Sequence, residues 1–274
     1  MHSRSDMTVD IEWQVSRCPN CSAELGLEYC PRCGQKRIRP QDLSARHYFR
    51  ELSDEIATLP EQFKTLRTLR TLLVPGLLSA EFLAGRRQPY LSPFKVYVVC
   101  AAMFFLAAPA AGFTLASMRD ADQSGTLSRL VSAMVTERGL DPPLFNARFD
   151  VRVQSVYPIT LGGAALVLAL SLQWLFRKQR RPYGAHLVFA LHYVAFMYLV
   201  TITAGLSRTI GLSVDLAAAA GYALIVPYLI LALKRVYAES TGLIVLKGVL
   251  LLVLTAILNN LASFAAIRMT LALM

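Results

Sequence analysis

Charge is scarce in this sequence, and it is absent from five long stretches. Only 17% of the 274 residues are Asp, Glu, Lys or Arg, against 55% hydrophobic. The charge-free runs are Val96 to Ala116, Ser155 to Phe176, Leu187 to Ser207, Leu216 to Leu233 and Gly248 to Ile267. Each has about the 17–25 residues that a helix needs to cross a ~30 Å hydrocarbon core. A helix is required because a bilayer offers backbone polar groups no other partner. A soluble domain of this length would carry more charge. The expected fold class is an all-α polytopic membrane protein with about five transmembrane helices. Other absences narrow the function. The opening residues MHSRSDMTVDIEWQ contain no apolar core, so no cleavable signal peptide is expected, and 1–17 reads as a disordered N-terminus. No nucleophile–base pattern, phosphate-cradling glycine loop or set of carboxylates within the spans is present, so the expectation is not an enzyme.

The net charge of +10 suggests nucleic acid until its placement is read. RKQRR at 177–181 follows the second charge-free run, Lys234 and Arg235 follow the fourth, and Arg86, Arg87 and Lys95 precede the first. The stretch 117–154 is balanced, with five basic and five acidic residues. That alternation follows the positive-inside rule. It predicts a cytoplasmic N-terminus, five spans, an outer loop at 117–154 and an external C-terminus; losing one span from the count would move the tail across. Aromatic and basic residues do not interleave as a nucleic-acid surface requires. Within the outer loop, Leu127, Leu130, Val131, Met134 and Val135 form an apolar stripe ended by Gly139, which predicts a short helix on the outer leaflet or capping the bundle.

Four of the five cysteines stand in CPNCSAELGLEYCPRCG, as Cys18, Cys21, Cys30 and Cys33. Two residues between cysteines let both thiolates of a pair reach one ion, and the eight residues between pairs suffice for a small hairpin. Gly34 follows the second pair, where a left-handed backbone is readily adopted. Four thiolates at ~2.3 Å make a closed structural zinc site, with no open position for a catalytic water. A rubredoxin-type iron centre shares this spacing. Disulfides would need an oxidising compartment, which the predicted topology denies. The segment 18–36 therefore reads as a cytoplasmic zinc ribbon, too small to fold without its ion.

Residues 41–92 read as interfacial amphipathic helices. Ala45, Tyr48, Phe49, Leu52, Ile56 and Leu59 recur at helical spacing before Pro60. In the next stretch Lys64, Arg67 and Arg70 line one face, and Phe63, Leu66, Leu69 and Leu73 another. Such a helix either lies on anionic headgroups, with Arg86 and Arg87 nearby, or packs its apolar stripe on the mouth of the bundle. Pro75-Gly76 ends it. From here the pattern resembles a bacterial family of membrane proteins known as domain of unknown function 3667, through CGQK at 33–36, PGLLSAEFLAGRRQPYLSPFK at 75–95 and HLVFALHYVAF at 186–196. The resemblance implies a clip, a leucine-rich helix and a multi-span bundle in a bacterial inner membrane. It implies no mechanism.

Polar residues inside spans are the default functional candidates. His192 lies in the third span with His186 near its edge; six residues apart, the two imidazoles point ~120° from one another and cannot pair on one metal. Asn259 and Asn260 lie past the middle of the fifth span, where amides usually bond between helices. Ala165 and Ala169, Ala217 and Gly221, and Ala262 and Ala266 have the small-xxx-small spacing of close helix approach. Pro109 and Pro227 would kink their spans, Trp174 suits an aromatic belt, and Cys100 reads as a buried apolar residue. The whole predicts a membrane-anchored adaptor or assembly protein whose zinc ribbon engages a cytoplasmic protein partner. The alternative is a small transporter or channel with the ribbon as brace or gate and His192, Asn259 or Asn260 along a path. A lipid-modifying enzyme would need a polar pocket that the sequence does not reveal.

Overall fold

The structure, a computed structural model, describes residues 16–25, 28–37, 62–107, 125–137, 139 and 141–273. The expected N-terminal tail, the helix at 41–59, Pro60, Pro109 and the stretch 108–116 of the first expected span fall wholly or mainly outside these. Two short strands, β1 (Ser16–Arg17) and β2 (Glu24–Leu25), belong to the cysteine segment. The helices are α1 (Gln62–Leu72), α2 (Leu77–Leu83), α3 (Pro93–Ala107), α4 (Thr126–Glu137), α5 (Pro142–Leu175), α6 (Tyr183–Ser207), α7 (Val214–Tyr237) and α8 (Thr241–Ala272).

Among the described residues four helices, α5 to α8, are long and apolar enough to cross a membrane, and α3 is a shorter apolar helix. Their outer faces carry large exposed hydrophobics, including Leu216, Leu224 and Leu231 of α7 and Val249, Val253 and Leu261 of α8. A water-soluble protein does not spread apolar side chains over whole helix faces. The small residues read from the sequence face inward. Ala165, Ala169, Ala217, Ala262 and Ala266 are buried, and Gly221 lies where an added Cβ would touch Val200 at 3.6 Å.

One boundary differs. The stretch 142–154, expected as loop, is the first part of α5. Asp141 caps the helix by accepting from the Leu144 N–H, and Pro142 and Pro143 occupy its first positions, where no amide donor is missed. Phe145, Phe149, Val153 and Val156 then recur on one face and form a buried cluster with Val131, Ala266 and Leu271. The short helix expected around 127–135 is α4, which caps this end of the bundle through Val131.

At the opposite end the chain does not simply enter the membrane. Tyr97, four residues into α3, lies with its ring centroid 5.8 Å from that of Tyr198, fifteen residues into α6. At 1.5 Å per residue, α3 starts roughly 16 Å inward from the start of α6. The space beneath is filled by α1, α2 and the turns around them. Tyr228 Oη donates to the Leu72 carbonyl at 2.7 Å, satisfying one of the orphan acceptors that end α1. Arg235 holds the Pro75 carbonyl. The fully buried Thr68 hydroxyl donates to Lys64 O at 2.6 Å and accepts from the Leu91 N–H at 3.0 Å. The Pro75-Gly76 break is thus built into the bundle.

Gly76 has φ of +67°, and a Cβ there would lie 2.7 Å from the Ala232 backbone. Gly34 also has positive φ, but nothing lies within 4 Å of its Cβ position. Gly34→Ala should therefore cost only the conformational term, about 1–2 kcal/mol, whereas Gly76→Ala adds a backbone clash that no side-chain rotation relieves. Thermal unfolding in detergent is expected to show the larger fall for Gly76→Ala.

Candidate metal centre

The cysteine segment folds as two similar turns. In the first, Cys18 N–H donates to Ala23 O at 2.7 Å and Ser22 N–H to Cys18 O at 2.8 Å. In the second, Cys30 N–H donates to Gln35 O at 2.9 Å and Gly34 N–H to Cys30 O at 2.9 Å. Ser22 and Gly34 occupy equivalent left-handed positions, with φ of 61° and 70°. The strands flank the turns: Ser16 pairs with Leu25 and Arg17 with Glu24 around the first, and Tyr29 bridges to Lys36 around the second. The hairpins therefore enclose each cysteine pair, whereas the spacing had suggested one hairpin between the pairs.

This duplication converges the four thiols. Cys18 Sγ lies 3.6 Å from Cys33 Sγ, Cys21 Sγ lies 3.5 Å from Cys30 Sγ, and all four sulfurs lie within 4.8 Å of one another. Thiolates at ~2.3 Å from one tetrahedral ion would be about 3.8 Å apart, so the arrangement fits a metal ion. All four cysteines are unbridged. Backbone donors also aim at sulfur, from Ala23 to Cys21 and from Gln35 to Cys33. Burial pushes the Cys33 thiol up, yet the Gln35 N–H, Asn20 and the neighbouring thiols outweigh it and hold it down to about 6. For Cys21 the Ala23 N–H pulls down, while burial and the other three thiols raise it to about 12. Close thiols that share protons in this way are readied for a cation that replaces those protons. Among the described residues, the cluster's buried core contains Leu25 besides the cysteines, with Ala23 half-buried beside it. Burying one leucine contributes about 1.5–3 kcal/mol, far less than ordering the backbone around it requires.

Sequence reasoning missed the residue that joins this centre to the membrane helices. Gln35, buried to 6% exposure, donates from Nε2 to Gly85 O at 2.7 Å. Its Oε1 accepts from the N–H groups of Arg87 at 3.1 Å and Gln88 at 3.2 Å. CGQ and GRRQ, two separate motifs in the chain, are thus in direct contact. The available signals were its place immediately after the glycine of the second turn and its membership of the CGQK segment, neither of which indicates a partner fifty residues on.

The basic residues assigned to the membrane surface divide into two groups. Arg86 makes a two-pronged bond to the Glu81 carboxylate and holds that carboxyl below its usual range. Arg87 lies 4.5 Å over the Phe82 ring and donates to Phe82 O. Both are engaged within the protein. Lys64, Arg67 and Arg70 lie on α1, with Arg67 over the Tyr90 ring and Arg70 exposed. On that helix Phe63, Leu66 and Leu73 are exposed at 92%, 52% and 57%, while Thr68 and Leu72 are the buried line. Of the apolar stripe read from the sequence, Leu69 packs against the bundle core, while Phe63, Leu66 and Leu73 point outward.

The polar residues of the spans do not form one site. The buried His192 shares a hydrogen bond of 3.0 Å between Nδ1 and Ser79 Oγ, and its ring meets Phe82 edge-on. Its Nε2 has no hydrogen-bond partner among the described residues. His186 Nδ1 lies 2.8 Å from Tyr237 Oη. Asn259 and Asn260 are exposed on α8, the first meeting Tyr157 Oη at 3.5 Å and the second donating to Ala256 O of its own helix. Six residues separate His186 from His192, but 113 separate His192 from Ser79 and 51 separate His186 from Tyr237, and only the fold decides which meet.

The fold and the centre together define a polytopic helical membrane protein carrying a four-cysteine clip. A family model described as "Protein of unknown function (DUF3667)" matches residues 64–105, which covers α1, α2 and most of α3 and supports the resemblance read from PGLLSAEFLAGRRQPYLSPFK. Comparisons with curated proteins and with solved structures found no match.

The two elements of the clip should respond differently to substitution. Cys30→Ser is expected to lose bound metal, whereas Gln35→Ala should keep about one ion per chain while weakening attachment by about 1–3 kcal/mol for the unsatisfied Gly85–Gln88 groups. Elemental analysis of the purified variants, with limited proteolysis between 37 and 62, reads both effects.

Proposed function

We propose that the protein is a membrane-anchored adaptor or assembly factor of the bacterial cytoplasmic membrane, with its clip in the cytoplasm and one structural zinc ion held by Cys18, Cys21, Cys30 and Cys33. The observation that carries this reading is the Gln35 amide. Its three hydrogen bonds fix the clip in one orientation on the Gly85–Gln88 turn. They leave Tyr29, Arg32 and Lys36 on its exposed surface. A recognition module held rigidly on a membrane protein loses little freedom when a partner docks. Zinc is favoured over iron because the clip needs only a closed, structural ion and no redox role is called for. The exposed Phe63, Leu66 and Leu73, flanked by Arg67 and Arg70, support α1 lying against anionic headgroups. On this reading the chain is not an enzyme.

A transporter or channel, with the clip as brace or gate, draws on one observation: the buried His192 Nε2 that lacks a partner among the described residues. The interior toward the far end of the bundle counts against it, being filled by Tyr97, Phe104, Tyr157 and Tyr198 in mutual ring contact.

Crosslinking in native membranes tests the adaptor reading. The wild-type chain is expected to capture a specific protein that Cys30→Ser does not capture, although both variants reach the membrane in equal amount. Equal capture by the two chains would make the clip a brace and would send the question to flux measurements on reconstituted protein.

A further inference from the structure

Helices α5 and α8 run side by side and are pinned at both ends. At the α4 end, Tyr157 Oη meets Ser263 Oγ at 3.3 Å, and Arg152 donates to Leu273 O at 2.5 Å. At the clip end, Lys247 Nζ lies 4.2 Å over the Phe176 ring. Between the pins the helices leave a groove of about 400 Å³, lined by Val167, Leu170, Ser171 and Trp174 of α5 and Leu250 and Leu254 of α8. It opens sideways, since Leu170, Trp174 and Leu250 are each more than half exposed. It is also dry in character. The Ser171 hydroxyl is spent on Val167 O at 2.9 Å.

The groove's clip end has a different chemistry. Trp174 is followed by Arg177, whose guanidinium lies 5.9 Å over the indole, and then by Lys178; both cations are exposed. The nearby Glu239 carboxylate is taken by Lys247 at 2.5 Å and approached by Gln179 at 3.4 Å, so it does not cancel them. An apolar slot along the span, an amphipathic ring at its mouth and two cations beyond the ring match one occupant. We propose that this groove is a binding site for an anionic phospholipid of the leaflet facing the clip, one acyl chain lying along Val167, Leu170 and Leu254 and the phosphate group at Arg177 and Lys178. The proposal rests on the membrane placement of α5 and α8.

Trp174 reports on its own groove, because Trp13 is the only other tryptophan. The full chain with Trp13→Phe would be reconstituted in vesicles of brominated phosphatidylcholine, which quenches indole on contact. Unbrominated phosphatidylglycerol or phosphatidylcholine is then titrated in, and recovery of fluorescence reads displacement. Phosphatidylglycerol is expected to bind at least about fivefold better than phosphatidylcholine, the factor contributed by one cation beside an anionic group. The Arg177→Gln, Lys178→Gln double variant should bring the ratio close to one. Equal displacement by the two lipids in the Trp13→Phe chain overturns the site whether or not the double variant folds. Unchanged selectivity in a folded double variant overturns the assignment of the phosphate group. No quenching by brominated lipid at all would instead overturn the membrane placement of α5, an outcome distinct from both.

Discussion

One side-chain amide connects the two halves of this molecule. Gln35 uses a donor and an acceptor that carries two bonds, and it meets a turn that presents one carbonyl and two N–H groups. The match is specific in a way that charge pairing is not. A primary amide offers both signs of hydrogen-bonding group in one plane, and buried as it is, any mismatch would leave a polar atom without water. The same residue's backbone shapes the metal turn, its carbonyl accepting from Cys30 and its N–H facing Cys33. Gln35 therefore belongs at once to the cluster and to the attachment.

The attachment has a reason to be there. Between Leu73 and Ser92 the backbone is irregular, apart from α2, and part of it lies well within the bundle. Irregular backbone is tolerated at membrane depth only when protein groups satisfy it. Tyr228 serves the Leu72 carbonyl, Arg235 the Pro75 carbonyl, Thr68 the Leu91 amide and Gln35 the Gly85–Gln88 turn. Ser79 and His192 lie in the middle of this arrangement. The clip completes a set of polar contacts that the membrane helices provide only in part.

What the sequence disclosed follows from the range of the interactions involved. The four thiol ligands, the spans and the buried small residues are local patterns, and a spacing of two, four or twenty residues reveals them. The start of α5 was also local, in Asp141-Pro142-Pro143, but the balanced charge of 117–154 hid it behind a loop reading. Long-range partners were not legible. The alternative reading placed His192 along a path with Asn259 or Asn260, whereas its hydrogen-bond partner is Ser79, 113 residues away. Arg86 and Arg87 resembled surface cations because composition does not show that Glu81 and Phe82 curl back to them. The apolar stripe of α1 was correctly periodic, yet Leu69 packs on the bundle while Phe63, Leu66 and Leu73 stay exposed, and Thr68, a polar residue, is fully buried at the contact.

Clip folding and clip docking are thermodynamically one problem. Among the described residues the clip's buried core contains little apart from cysteines, so an ordered second turn depends on whatever holds those cysteines together. Only an ordered second turn presents the Gln35 amide to Gly85. Docking therefore selects the same clip conformation that metal binding selects, and two events that favour one state must strengthen each other by equal factors. An ion held by the clip tightens its grip on the membrane helices, and those helices in turn raise the clip's affinity for the ion. A partner that recognised the docked orientation would add a third event to the same linkage. The joining residue need not touch the ion for this to hold; it needs only to be positioned by the turn that the ion closes.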